Sequence, residues 1–98
     1  MAEHASVIRL VRFQPAAGKR DELIRRLEGG VQDIRKREGC FGAQICEVRE
    51  TPGVIVAVSR WASQSAVDQF LQDSAAQRAE LGTLTAAPPA AEHLVPAA

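Results

Sequence analysis

Glu47 is the ionisable residue of this chain whose position most favours chemistry. It lies between Cys46 and Val48 in a stretch that is predicted to be a β-strand. If its side chain faces an apolar pocket, loss of hydration raises the pKa of the carboxyl and makes it a candidate general base. The alternative is an exposed carboxylate that pairs with Arg49 or Arg60 across the sheet. The sequence leaves both interpretations open.

Three arginines, Arg9, Arg12 and Arg60, also lie in predicted strands. A guanidinium that turns into a pocket indicates an anionic ligand or intermediate, because it binds anions through charge-assisted hydrogen bonds. More often such an arginine lays its apolar stem along the sheet edge and keeps its charge in water. Of the three, Arg12 is our candidate substrate contact.

The two cysteines, Cys40 and Cys46, indicate neither a disulfide nor a metal site. They lie six residues apart in one predicted strand, which separates them by about 20 Å, whereas a disulfide needs Cα atoms within roughly 7 Å. We therefore expect two reduced thiols. We expect no metal, because the two histidines, His4 and His93, lie near the chain ends and metal sites need more ligands at closer spacing.

Length and composition fit a single small domain. The chain has 98 residues, of which 46% are hydrophobic and 24% charged. Twelve basic residues balance 12 acidic ones, which argues against nucleic-acid binding. No apolar run approaches the ~20 residues that span a bilayer, and no signal peptide is recognisable. We expect one cytoplasmic domain over residues 1–98, with flexible ends at 1–6 and 97–98 and no membrane or nucleic-acid partner.

Hydrophobic periodicity predicts the elements that position these residues. Strand patterns occur at 7–13, 41–50 and 54–61, with a Thr51-Pro52-Gly53 turn between the last two. Helical spacing covers 19–37, with Gly39 as its C-terminal cap. A second helix follows Ser63 or Ser65 and ends near Gly82.

A short last strand at 92–95 completes the order β, α, β, β, α, β. This order favours an α+β, ferredoxin-like βαββαβ fold, in which an antiparallel sheet carries two helices on one face. Strand 54–61 is apolar on both faces and strand 7–13 is nearly so. Two helices cover only one face, so we expect a homodimer whose sheets pack against each other.

Gly29 and Gly30 interrupt the middle of the first predicted helix. Each costs about 1 kcal/mol relative to alanine, so some feature must offset the loss. The first interpretation is close packing against a strand, and the second is a pocket wall at Gly30. A kink in the helix is also compatible with the pair.

Four segments in this order resemble the antibiotic biosynthesis monooxygenase family of dimeric α+β barrels: VIRLVRFQPAAGKRDEL, LEGGVQD, EGCFGAQ and SRWASQSAVDQF. LEGGVQD is similar to a helix segment of the small, quinone-forming, polyketide-tailoring members. The resemblance implies a monooxygenase without metal, flavin or haem that oxidises a small aromatic hydroxyl compound with O₂. Such chemistry needs an apolar, water-excluding pocket with few polar groups, because a phenolate can itself pass an electron to O₂.

Trp61 matches the tryptophan that ends the third strand of the family. The resemblance implies that its indole N–H holds an oxygen of the substrate or intermediate. The alternative is a large core residue whose N–H has a partner within the protein. With Glu47 as base, Trp61 is our second candidate catalytic residue.

Several polar residues of the tailoring members are replaced here. Ala57 stands at the position of an asparagine, Val67 at that of a tyrosine, and Glu47 at that of a histidine. The second-helix arginine has no clear match, although Arg78 lies nearby. We take Ala57 and Val67 as candidate substrate contacts because of their positions.

The haem-degrading branch is a rival within the family. Its asparagine, tryptophan and iron-binding histidine correspond here to Leu10, Phe70 and about Ala79. The second helix has no histidine, so haem iron has no axial ligand. Leu10 and Phe70 join the candidate substrate contacts, with Gly30 and Arg12. A binding or scaffolding homodimer without turnover is the non-enzymatic alternative.

Overall fold

A computed structural model describes residues 5–97 of the chain. The ends that the sequence predicts to be flexible fall partly outside this range, at residues 1–4 and 98. The elements in chain order are β1 (Val7–Phe13), α1 (Arg20–Arg35), β2 (Cys40–Glu47), β3 (Ile55–Trp61), α2 (Gln64–Asp73), α3 (Ala75–Leu81), a 3₁₀ turn (Gly82–Leu84) and β4 (Ala90–Leu94).

The four strands form one antiparallel sheet in the order β2-β3-β1-β4. The α+β, ferredoxin-like fold predicted from the sequence is therefore confirmed. Strand β4 begins two residues earlier than predicted, at Ala90, and pairs with β1 of its own chain. Cys40 and Cys46 lie in β2 as free thiols.

Side-chain alternation gives the sheet two different faces. On the helix-covered face, β1 presents Val7, Arg9, Val11 and Phe13, and the register of β1 with β3 brings Ile55, Ala57, Ser59 and Trp61 to the same side. On the open face, β1 presents Ile8, Leu10 and Arg12, beside Val56, Val58 and Arg60 of β3. No helix within the described part of the chain covers this second face.

Helix α1 forms because its apolar residues recur at helical spacing. Leu23, Leu27 and Val31 are buried against the sheet, and acidic residues in the first turn suit the positive end of the helix dipole. The helix ends at Arg35 with Lys36 as its C-cap, so the prediction that Gly39 caps it is wrong. Gly39 instead turns the chain into β2 with φ of +85°, where a Cβ would approach that of Ala66 to 3.0 Å.

The predicted close packing at Gly29 and Gly30 is also wrong. Apart from the flanking residues and the neighbouring backbone of α1, no described atom lies within 4 Å of a Cβ built at either position, and α1 continues unbroken through both. The space beside Gly30 belongs to a cavity. The pocket-wall interpretation of Gly30 therefore agrees with its surroundings.

The second predicted helix is broken into α2 and α3 at Ser74. Ser63 caps α2, because its Oγ accepts a hydrogen bond from the Ala66 amide at 3.2 Å. At the other end, the Ser74 hydroxyl donates to the Phe70 carbonyl at 2.7 Å, a back-bond that commonly bends helices. Helix α3 buries no residue. Its contribution to the core is Leu81, which is partly buried and packs against the cluster of Val11, Phe13 and Leu27.

Candidate active site

A cavity of about 740 Å³ lies between the helix-covered face of the sheet and helices α1, α2 and α3. This volume falls in the range of small-molecule sites. Most of the wall is apolar, and its larger apolar side chains are Val11, Phe13, Leu27, Val31, Ile34, Ile45, Phe70 and Leu81. Such a wall suits a ligand with a flat hydrocarbon body.

The cavity lies where two core clusters separate. One cluster centres on Val11, Phe13 and Leu27, and the other packs Phe70 against Trp61 and its neighbours. Small residues line the space between them, among them Gly30 of α1, Ala57 of β3 and Ala75 and Ala79 of α3. Larger side chains at these positions would occupy the volume that a ligand needs.

Arg9 is the charged group that β1 directs into this cavity. It is half-buried, and its Nε has no hydrogen-bond partner among the described residues. Its guanidinium lies 5.7 Å from the centre of the Phe70 ring. Burial, and then the positive charge of Arg78, lower the pKa of Arg9 from its ordinary value. The folded chain thus holds a cation in a place that disfavours its charge.

Arg78 of α3 supplies a second guanidinium to the cavity wall. Its Nε donates to the Ser74 Oγ at 3.1 Å, and its Nη2 donates to the Leu71 carbonyl at 2.7 Å. These two bonds fix the side chain across the break between α2 and α3. Within residues 5–97, neither Arg9 nor Arg78 has a carboxylate at ion-pair distance.

Two ion pairs connect α1 and the turn that follows it to the α2–α3 side of the cavity. Arg37 pairs with Asp73 at 2.6 Å, and Arg26 pairs with Glu80 at 3.3 Å. The hydrogen bond from Arg37, followed by that from Gln69, holds the pKa of Asp73 below its ordinary value. Asp73 is therefore a poor base at neutral pH. Because these groups are largely exposed, the pairs contribute little to stability.

Trp61 supports the cavity from behind and does not line it. The side chain is fully buried, and its ring stacks on Phe70 with centroids 5.3 Å apart. Its indole N–H already donates to the Ser59 Oγ at 2.8 Å. This arrangement matches the core interpretation of Trp61. Through this stacking, Trp61 orients Phe70, whose ring faces the cavity.

Glu47 lies outside the cavity, at the exposed end of β2. It accepts a hydrogen bond from Arg20 of α1, so the predicted pairing with Arg49 or Arg60 across the sheet is wrong. The partner comes from a helix because Glu47 shares the face of β2 that α1 covers. Nothing in its surroundings excludes water from the carboxylate.

The six candidate substrate contacts divide between three locations. Gly30, Ala57 and Phe70 line the cavity. Val67 is fully buried in the core beside Trp61. Leu10 and Arg12 lie on the open face of the sheet, on the side away from the cavity, because even-numbered residues of β1 point in that direction.

Arg9 and Arg78 are the cavity residues that the sequence interpretation did not select. A signal for Arg9 was present, since Val7, Val11 and Phe13 mark the odd positions of β1 as the buried ones. Arg9 shares that phase, whereas Arg12 does not. The signal for Arg78 was its place near the second-helix arginine of the tailoring members, but its orientation depends on the break at Ser74 and could not be predicted.

Two further features of residues 5–97 bear on the class of protein. No three metal-ligating side chains cluster together within this part of the chain. No helix in it is long and apolar enough to cross a membrane.

Comparison with known proteins identifies the family of this chain. The sequence model for "Antibiotic biosynthesis monooxygenase" matches residues 6–80, most of the chain. The chain belongs to this family. The matched range runs from β1 into α3 and includes Arg9 and Arg78. Among curated protein sequences none matches the chain.

Solved structures share the fold over nearly the whole chain. Rv0793 from Mycobacterium tuberculosis is 26% identical, with a TM-score of 0.85 over 94% of this chain and 95% of its own. A putative antibiotic biosynthesis monooxygenase from Deinococcus radiodurans is 18% identical, with a TM-score of 0.83 over 94% and 93%. The ActVA-Orf6 monooxygenase of Streptomyces coelicolor, in complex with nanaomycin D, is 24% identical, with a TM-score of 0.77 over 96% and 89%.

Proposed function

We propose that this chain is a cofactor-independent monooxygenase that oxidises an electron-rich aromatic hydroxyl compound to a quinone with O₂. The observation that carries the proposal is the partly buried guanidinium of Arg9, whose Nε has no hydrogen-bond partner among the described residues, inside a mostly apolar cavity of about 740 Å³. A phenol bound there lies beside a cation that favours its ionised form. The ActVA-Orf6 structure, which is a complex with nanaomycin D, supports a small-molecule ligand for this fold.

The reaction begins when the bound phenol loses its proton to water at the open side of the cavity. Arg9 stabilises the phenolate, and the apolar wall excludes further water. The phenolate passes one electron to O₂, and the aryloxyl radical then combines with the reduced oxygen at a ring carbon. Loss of water from the resulting peroxide leaves the new quinone carbonyl. One oxygen atom enters the product and the other leaves as water, so that phenol and O₂ give quinone and water.

The residues of the chain have distinct tasks in this scheme. Phe70 presents its ring to the flat substrate, and Trp61 holds Phe70 by stacking on it. Ala57 and Gly30 leave the room that the ring system occupies. Arg9 supplies the positive charge that stabilises the phenolate. Trp61 is thus a positioning residue that acts through Phe70.

A homodimer completes this proposal. The open face of the sheet carries the partly exposed aliphatic side chains of Ile8, Leu10 and Val58, and no helix within residues 5–97 covers them. Close by, β4 is exposed along its whole length, and Leu94 and Val95 are 40% and 70% exposed. A second copy packed on this face would remove these apolar groups from water, which is favourable by about 25 cal/mol per Å².

Oxygen uptake by metal-stripped protein tests the proposed activity. With a panel of electron-rich phenols, hydroquinones and anthrone-type compounds, we expect uptake above the protein-free rate and matching quinone absorbance. Arg9→Met should lower kcat at least tenfold, because the phenolate loses its cation. Arg25→Met, at an exposed helix residue without an ion pair among the described residues, is the matched control and should keep the wild-type rate. Equal rates for wild type and Arg9→Met would contradict the role of Arg9.

The second candidate function is a small-molecule-binding homodimer without turnover. It is favoured by the nature of the cavity's carboxylates. Asp73 and Glu80 are paired with arginines, Asp33 is exposed on α1, and the candidate base Glu47 lies outside the cavity. Tight binding of aromatic ligands without oxygen uptake across the panel would select this function instead.

A further inference from the structure

The charges that line the cavity do not balance. Seven charged side chains contribute to its wall, and two ion pairs account for four of them, Arg37–Asp73 and Arg26–Glu80. The remaining acid, Asp33, is exposed on α1. The remaining cations are Arg9 and Arg78, and neither has a carboxylate partner among residues 5–97.

Arg9 and Arg78 come from opposite walls of the same space. Arg9 belongs to β1, at the floor formed by the sheet, and Arg78 belongs to α3, which covers it. The two positive charges are close enough to disfavour each other. Two like charges in a partly dry site are costly unless a negative charge lies between them. The empty volume between the walls is where such a charge would be placed.

Both guanidiniums retain donors for a ligand. The Nε of Arg9 is buried and donates to nothing among the described residues. Arg78 uses Nε and Nη2 on the Ser74 hydroxyl and the Leu71 carbonyl, two neutral acceptors, which leaves Nη1. Guanidinium groups bind carboxylates through short, charge-assisted bonds.

We propose that the cavity takes an aromatic ligand that carries a carboxylate, and that Arg9 and Arg78 bind this group together. The inference rests on the proposed function and narrows its substrate class to hydroxyaromatic acids. A phenolate supplies one negative charge during the reaction, and the carboxylate supplies the second. The apolar wall around Phe70 receives the ring system, so that one site selects for both parts of the molecule.

Binding of a matched pair of ligands that O₂ does not oxidise tests this inference directly. 2-Naphthoate and 2-naphthamide have nearly the same shape and differ in charge. In calorimetric titrations of the full chain, we expect 2-naphthoate to bind at least about tenfold more tightly, the difference expected for charge-assisted hydrogen bonds. Equal affinities, tighter binding of the amide, or no binding of either ligand would overturn the inference.

Variants separate the two arginines from general electrostatic attraction. Arg9→Met and Arg78→Met should each weaken 2-naphthoate binding about tenfold and leave 2-naphthamide binding nearly unchanged. The exposed Arg25→Met, which removes the same charge elsewhere, should alter neither. If Arg25→Met weakened naphthoate binding as much, the preference would come from net charge and the inference would fail.

Arg78→Met also removes the bonds that fix α3, so a second variant is required. Arg78→Lys keeps the charge, and we expect it to retain part of the preference for 2-naphthoate. Loss of the preference in Arg78→Met with an unchanged thermal transition assigns the effect to binding. An unchanged preference in a folded Arg78→Met chain would remove Arg78 from the site.

This experiment is independent of turnover. If naphthoate is preferred but no phenol consumes oxygen, the anion site stands and the monooxygenase proposal fails. If neutral phenols are oxidised while naphthoate and naphthamide bind equally, the monooxygenase proposal stands and the carboxylate inference fails.

Discussion

Replacement of Arg9 by methionine should stabilise the protein, although it removes a group that we assign to function. Burial and Arg78 both lower the pKa of Arg9, which means that folding disfavours its charged form. In the linkage relation, a base with a lowered pKa in the folded state costs stability at every pH where it is charged, including neutral pH. Methionine keeps the apolar stem and removes this cost.

The magnitude follows from two opposing contributions. An unsatisfied buried donor such as the Arg9 Nε costs about 1–3 kcal/mol. The contact of the guanidinium with the Phe70 ring at 5.7 Å offsets about 0.5–1 kcal/mol of this cost. We therefore expect the free energy of unfolding to rise by about 1 kcal/mol. In a domain of this size such a change raises Tm by about 4–8 °C.

Urea and thermal unfolding followed by circular dichroism at pH 7 measure this change. Wild type and variant are compared at one protein concentration, because subunit association makes Tm concentration-dependent. The exposed Arg25→Met is the control and should stay within about 0.5 kcal/mol of wild type. A less stable Arg9→Met chain would show that the folded protein already compensates the charge of Arg9, and the argument for an anionic ligand would lose its basis.

Three further predictions follow from the same structure. Trp61→Phe should lower turnover with an oxidised phenol at least tenfold and leave the oligomeric state intact, because it loosens Phe70; wild-type turnover would remove Trp61 from the positioning of substrate. Asp73→Asn should make the free energy of unfolding less dependent on pH below about pH 4. The lowered pKa of Asp73 stabilises the fold above the ordinary carboxyl pKa, and this stabilisation is lost as the pH falls. An unchanged pH dependence in urea titrations would contradict the Arg37 interaction. Leu10→Asp, on the open sheet face, should turn the proposed dimer into a monomer in sedimentation velocity; a dimer that persists would place the interface elsewhere.

The strands and the first helix were predictable because each is encoded by local alternation or helical spacing. Val7, Val11 and Phe13 fix the phase of β1, and Leu23 and Leu27 fix the buried side of α1. The same alternation could have placed Arg9 on the buried face. Sequence spacing could not show whether Arg9 lies in a pocket, because an arginine at this position is equally compatible with a sheet edge.

The remainder of the site depends on interactions that are distant in sequence. The break at Ser74 turns Arg78 toward the cavity, and no pattern in α2 or α3 marks it. Gly30 contributes to the site because open space lies beside it, and this space is created by elements distant in sequence. The partner of Glu47 lies 27 residues away, on a helix. Predictions from strand register alone therefore assigned that carboxylate the wrong neighbours.

Oxygen-isotope labelling of the product shows whether this protein inserts an oxygen atom of O₂ into an aromatic hydroxyl compound. Metal-stripped protein is mixed with an electron-rich phenol under ¹⁸O₂ in ordinary water, and the quinone is analysed at early times by mass spectrometry, before its carbonyls exchange with water. We expect one ¹⁸O atom in each new quinone, formed at a rate that Arg9→Met lowers. Product without ¹⁸O, or formed no faster than in the absence of protein, would contradict the account.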